Sequence, residues 1–329
     1  MTIVVGVAPG HCAHAAVHLG VLLARSYGRE LVLAAVTSAG WPVGVGSVDG
    51  EYQRFLIASA KDALAEASAL VPADVTVRTL VHTASSARRG LLEVCEAERA
   101  MRLVVGSAGD SGEATQLGAA DGIELGSVSF GLLQSAELPV AIAPHGYTIA
   151  EDGRLGRVTA AYSGSDASAE LVLGAAAIAA EAGAGIRIAS FHTRPRGLLG
   201  AAIGFRAEDA VVAEWETVIR GRVDGILADI ERFEQPPAAV EVAMGAGADW
   251  KAALRSIPWA AGDLLLVGSS SLGPIARISL GSHAAKILRS APVPVVMVPR
   301  RATDEYAEQF ASVLRDQNGD EPVAQNASL

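Results

Sequence analysis

A chain of 329 residues is about twice the length expected of one compact domain. Half of its residues are apolar and 19% are charged, which provides for two cores and excludes a largely disordered chain. The formal net charge of -10, with Lys and Arg scattered rather than striped, argues against nucleic acid or an anionic membrane as partner, and no apolar run approaches the ~20 residues that span a bilayer.

The amino terminus has no basic segment followed by a long apolar one, so a cytoplasmic location is expected. Residues 3–7 form the first short aliphatic run, and further runs follow at 30–36, 75–81, 103–106 and 139–143. Segments of helical period lie between them, the pattern of a parallel sheet covered by helices on both faces. His11, His14 and His18 share one helical face just past the first strand; with no supporting ligands in view they read as a solvated face, and no metal is expected. Cys12 and Cys95 fall in different predicted helices and make no C-x-x-C pair, so they read as small buried residues. Arg88 and Arg89 open the third helix and read as solvated charge.

A polar, glycine-containing stretch at 150–156 marks a seam. Beyond it, strands are expected at 157–162, 186–191, 240–243, 264–268 and 294–298. Between the second and third of these, Val211, Val212, Trp215, Val218, Ile219, Val223, Ile226 and Ile230 give one helix a broad apolar face suited to a sheet. The second half repeats the first. Gly126-Ser127, Ser135-Ala136, Pro139-Val140 and Pro144 recur at a constant offset of 155 residues as Gly281-Ser282, Ser290-Ala291, Pro294-Val295 and Pro299. The Val-Gly-Ser triplets ending at Ser107 and Ser269 are offset by 162, so the first copy carries seven extra residues before its Gly-Ser. The expected organisation is a first domain at 1–146, a second at 155–300, and a tail at 301–329. In that tail Tyr306, Phe310, Val313 and Leu314 mark a helix before the chain frays. Asn326-Ala327-Ser328 reads as a chance match to a glycosylation acceptor.

After the fourth strand of the second half come Gly268, Ser271 and Gly273, and nine residues beyond Ser271 stand Gly281-Ser282, opening a helix. Small residues let backbone amides approach an anion, and a helix start adds unpaired N–H groups and a positive dipole end, which suits phosphate. Ser282 is read as the cap of that helix, with Lys286 and Arg289 toward its carboxyl end. Gly-x2-Gly-x9-Gly-Ser/Thr after the fourth strand is the signature of nucleotide-binding universal stress proteins, and the sequence resembles that family over both halves. The whole chain resembles its tandem members. The resemblance implies an α/β fold of two doubly wound open sheets, each of five mainly parallel strands, adenine nucleotide alpha hydrolase-like and related by duplication. It also implies that the closing Pro-Val strands, 139–143 and 294–298, pair across the domains. In the family the Gly-rich loop holds the phosphates and ribose of ATP while adenine lies against the ends of the first two strands, with no transferred chemical step implied. A homodimer of the whole chain is a further expectation.

The departures from the pattern direct the expectation to the second half. Ser271 stands at the motif's second glycine and keeps the spacing, whereas in the first half Gly106 and Gly109 are followed by sixteen residues before Gly126-Ser127, and Asp110, Glu113, Asp121 and Glu124 make that stretch acidic. The Asp that ATP-binding members carry after the first strand is replaced by Ala8 and Ser163. The resemblance therefore assigns an adenine nucleotide mainly to Ser163, Phe191, Gly268, Ser271, Gly273, Gly281, Ser282 and His283. Arg277, inside the nine-residue spacer, is a secondary candidate to cover a phosphate and otherwise reads as a surface charge. A weaker counterpart comprises Ala8, Val36, Gly106, Gly109, Gly126 and Ser127. No Gly-x4-Gly-Lys-Ser/Thr loop, Gly-x-Ser-x-Gly elbow or dinucleotide fingerprint occurs. A cytoplasmic stress-response protein that binds ATP and regulates is the leading reading. Its rivals are an interaction protein with degenerate sites and a slow ATP hydrolase.

Overall fold

The aliphatic runs become strands because helices cover both faces of the sheet they build, so side chains of either parity are buried. The computed structural model describes residues 1–10, 14–38, 46–108, 122–193, 204–269 and 281–299, without the side chains of 46–49 and 204–209. The first half runs β1 (Thr2–Val7), α1 (His14–Tyr27), β2 (Glu30–Ser38), α2 (Gly46–Ala69), β3 (Val77–Ala84), α3 (Ala87–Ala97), β4 (Ala100–Gly106), α4 (Ser127–Ser135) and β5 (Val140–Ala143). The second repeats it as β6 (Arg157–Ala161), α5 (Asp166–Glu181), β7 (Gly185–Thr193), α6 (Gly204–Ile230), β8 (Val240–Gly247), α7 (Trp250–Arg255), β9 (Asp263–Gly268), α8 (Ser282–Ser290) and β10 (Val295–Val298). Every expected strand is present. The third strand is displaced most: Val75 falls in the preceding turn and β3 continues to Ala84. The expected tail helix and the glycosylation-like triplet lie outside the described residues.

The ten strands form one sheet in the order β3-β2-β1-β4-β5-β10-β9-β6-β7-β8. All pairings are parallel except β5 with β10, where Val296 faces Ala141 antiparallel. The two Pro-Val strands thus close each other's edge, which would otherwise expose unpaired N–H and C=O groups. One apolar layer joins α1, α2, α5 and α6 across the halves, and the layer on the opposite sheet face joins α3, α4, α7 and α8.

On α6 the sheet-facing stripe is narrower than the sequence pattern. Val212, Ile219, Val223, Ile226 and Ile230 are buried, but Val211 and Val218 are exposed. Each precedes a buried residue by one position, a rotation of about 100° that takes it off the stripe.

The seam is docked against the first half. Arg25 near the end of α1 donates from Nη1 to the Gly153 carbonyl at 3.0 Å, Arg154 donates back to the Arg25 carbonyl at 2.8 Å, and the Leu155 N–H reaches Ser26 Oγ at 2.8 Å. Arg25 also holds Asp74 through two bonds of 2.6 and 2.9 Å, and this guanidinium draws the Asp74 carboxyl below its ordinary range.

Cys95 lies buried in the layer under α3, and burial pushes its thiol up to about 12. An unfolded thiol ionises near pH ~8.5, so this burial contributes stability that is complete below that value and is lost as pH rises toward the folded value. In a Cys12→Ser background, a thiol reagent at pH 8 should therefore react with Cys95 only after denaturant is added. Rapid labelling of the native protein would refute the burial.

Candidate functional site

In an open parallel sheet, ligands sit beyond the carboxyl ends of strands where the strand order reverses. That place lies between β6 and β9 in the second half and between β1 and β4 in the first. The register puts the expected residues of the second half on one level. Extending the β6–β7 pairing sets Ser163 beside Phe191, and extending the β6–β9 pairing sets Tyr162 beside Gly268. The same extension in the first half aligns Ala8 with Val36 and with Ser107, next to Gly106. Among the described residues, a β-carbon added at Gly268 would meet Leu171 Cδ2 alone, at 3.5 Å.

Helix capping separates the anion-ready helix starts from the others. Five N-caps are described. Ser86, Ser165 and Asp249 each accept a backbone N–H with their side chain, at the starts of α3, α5 and α7. Gly126 and Gly281, before α4 and α8, make no side-chain cap. The glycine takes the cap position, so Ser282 is the first helical residue and not the cap expected from its hydroxyl. The cap residue thus supplies no acceptor to the N–H groups of the first turn of α8, the groups that suit an anion, and Ser282 and His283 are exposed there.

Ser163 stands among hydroxyls. Its Oγ lies 3.0 Å from Ser165 Oγ and 3.2 Å from Ser168 Oγ, and its N–H donates to Ser168 Oγ at 3.2 Å. Ser165 and Ser168 form a reciprocal capping box, so this cluster spends its hydrogen bonds on the start of α5. Gly164 turns the chain in the left-handed region (φ 84°), and Arg222 of α6 donates to its carbonyl. Tyr162, just below, is buried, and burial raises its hydroxyl pKa.

Two ring pairs at this end were not anticipated. His192 at the end of β7 lies 5.1 Å from Trp215 of α6, and His283 lies 5.3 Å from Trp250 at the start of α7. Trp215 was read only as part of an apolar face. The chain has four tryptophans, and two of them flanking strand ends is the signal that was available. The Phe191 ring packs over Gly245, where an added β-carbon would lie 2.7 Å from its Cδ1.

The first-half counterpart is built differently. Before Gly126 the chain crosses the end of β4: Ala108 N–H donates to the Glu124 carbonyl at 2.8 Å, and Ser107 Oγ accepts the Glu124 N–H at 2.8 Å. Ile123 is buried, and Gly122 lies so close to the carboxyl end of α8 that an added β-carbon would be 1.6 Å from the Arg289 carbonyl oxygen. Gly122 and the residues that follow it to Gly126 therefore lie between the carboxyl end of α8 and the end of β4.

A sequence profile of the universal stress protein family matches residues 1–144 and again residues 155–299. The chain belongs to the universal stress protein family. Universal stress proteins of Mycobacterium tuberculosis and Mycobacterium bovis are each 32% identical to it over 310 residues, 91% of this chain and the whole of each relative. A crystal structure of a universal stress protein from Archaeoglobus fulgidus covers 90% of this chain and 98% of its own at 18% identity, with a TM-score of 0.56, and so shares the fold.

In this universal stress protein, Gly268 ends β9, Ser163 lies two residues past the end of β6, and Phe191 lies in β7 two residues before its end. Gly281, Ser282 and His283 start a helix whose Ala284, Ile287 and Leu288 belong to the same apolar layer as Leu265 and Val267 of β9. Ser271, Gly273, Arg277, Gly109 and His11 lie outside the described residues. His14 lies 3.8 Å from Glu66, and no cluster able to hold a metal occurs among the described residues. Arg89 pairs with Glu93 one turn on at 2.7 Å, as a solvated helix face would. No helix among the described residues is long and apolar enough to cross a membrane.

Proposed function

We propose that the second half binds an adenine nucleotide, ATP before others, and that the protein answers by changing shape or partner choice rather than by turning the nucleotide over. The observation that carries this reading is the start of α8, where the N-cap Gly281 offers no side-chain bond, in the half whose β9 ends at Gly268 next to the reversal of strand order. Gly268, Ser271, Gly273, Gly281, Ser282 and His283 would face the phosphates, with Ser163 and Phe191 toward the base. The first half makes the poorer site, because Ser107 and Ala108 are already bonded to Glu124 across the strand end. The tandem chain has already paired β5 with β10, so a homodimer would have to use another surface.

The direct test is mass spectrometry of small molecules released from the natively purified chain, with the ATP-dependent change in Tm beside it. Gly281→Glu should abolish both, since a carboxylate at a helix start suits the dipole and keeps the fold but repels a phosphate. Absence of nucleotide and of any Tm change in the unmodified protein would favour the interaction protein with emptied sites, the reading supported by Ala8 and Ser163 standing where binders carry Asp. Sustained phosphate release lost in Gly281→Glu would favour the hydrolase. Ser163→Asp restores an acid beside the capped start of α5 and should tighten ATP roughly tenfold, the size of one charge-assisted hydrogen bond. Unchanged affinity on calorimetric titration would remove Ser163 from the site.

A further inference from the structure

We propose that the cleft between the two halves, beneath the β5–β10 pairing, is a binding site for a monovalent halide held by Arg102. The side chain of Arg102, on β4, is 1% exposed, and none of its three guanidinium nitrogens has a hydrogen-bond partner among the described residues. The Tyr27 ring lies over it, 5.3 Å from the guanidinium carbon. Arginine keeps its proton throughout the working range, so a buried guanidinium of this kind needs an anion or carboxylate beside it.

Arg102 lines a cleft with Pro139 from its own half and with Glu170, Leu171, Ile178 and Val298 from the other. Most of the roughly 270 Å³ of empty space in this cleft is open to solvent, and the enclosed part has room for a single guest about the size of a water molecule, far too little for an organic ligand. It is suited to an ion. Glu170 is the other charged residue of the lining, and it forms no ion pair with Arg102 among the described residues. Its charge opposes a dianion such as sulfate or phosphate much more than a halide. The repeat does not reproduce the site, because the offset of 162 that relates β4 to β9 puts Leu264 at the position of Arg102. This is a single site made by docking the halves, and it is independent of the nucleotide reading.

The full chain should melt higher in sodium chloride than in sodium isethionate at equal ionic strength and pH. The expected rise is about 2–3 °C at ten times Kd. Arg102→Met, which keeps an apolar stem in the cleft, should show no difference between the two salts. Glu170→Gln should lower the chloride concentration at half-effect roughly fivefold to tenfold. Crystals soaked in sodium bromide should show an anomalous peak within hydrogen-bond distance of the guanidinium. Equal chloride responses in the unmodified chain and Arg102→Met, an unchanged midpoint in Glu170→Gln, or a water or the Glu170 carboxylate in place of bromide would each overturn the assignment.

Discussion

Replacing Asp263 by alanine should cost the protein about 3–5 kcal/mol of stability, a fall in Tm on the order of 10 °C. Asp263 begins β9 with its side chain 2% exposed, and its Oδ2 accepts from Arg157 at 2.6 Å and from the Ala260 N–H at 2.9 Å. The same oxygen lies 3.7 Å from Arg187, whose side chain is 1% exposed and stacks over Trp259 at 5.1 Å. Burial, and then the neighbouring Arg157, pushes the Arg187 guanidinium below its ordinary value, and Asp263 is the buried carboxylate that opposes both. Glu241, at 3.0 Å from Arg157 and 3.3 Å from Arg187, is half exposed and cannot replace a buried carboxylate. Adding Arg187→Met to Asp263→Ala should return much of the loss, because an apolar residue removes the stranded charge. ATP affinity should be unchanged in the folded variant, since Gly268 is about 16 Å farther along the strand. Urea unfolding that shows no loss for Asp263→Ala, or no recovery in the double variant, would mean that water already solvates the cluster.

The strands were legible because each is a short aliphatic run between turn residues, and the constant offset of the Gly-Ser and Pro-Val pairs carried the duplication. The pairing of β5 with β10 followed from the family resemblance rather than from any property of those eight residues alone, and its antiparallel direction came with the structure. The buried arginines were illegible. Arg102 and Arg187 are isolated cations in the sequence, and only the arrival of Tyr27 and Trp259 over them shows that they are enclosed. At the site, spacing located the helix starts at Gly126 and Gly281, but capping depends on which residue holds the extended backbone position. There the glycine displaced Ser282. Ser163 could be placed at a strand end from sequence. That its hydroxyl is shared with Ser165 and Ser168 could not, because the sharing depends on the turn at Gly164.

Gly122→Ala should release the first-half loop from α8 and cost roughly 2–4 kcal/mol, combining the lost burial of Ile123 with the strain of a side chain at positive φ. Gly122 has φ 97°, and even one added carbon would overlap the Arg289 carbonyl, a backbone group with no rotamer by which to yield. The segment must then lift, and Glu124 two residues on loses its hold on Ser107 and Ala108. Hydrogen exchange reads this directly, since the Ala108 and Glu124 amides, bonded at 2.8 Å each in the intact protein, should lose protection together. The consequence extends to the second half because Gly122 presses on the carboxyl end of α8, whose opposite end presents the uncapped amides. A helix of nine residues is about 13 Å long and moves as a rigid body, so freeing one end should alter ATP affinity at the other while leaving Ser163 and Phe191 in place. If protection at Ala108 and Glu124 is lost and ATP affinity holds, the loop braces the seam without reaching the site. If protection survives in Gly122→Ala, the close approach itself is wrong.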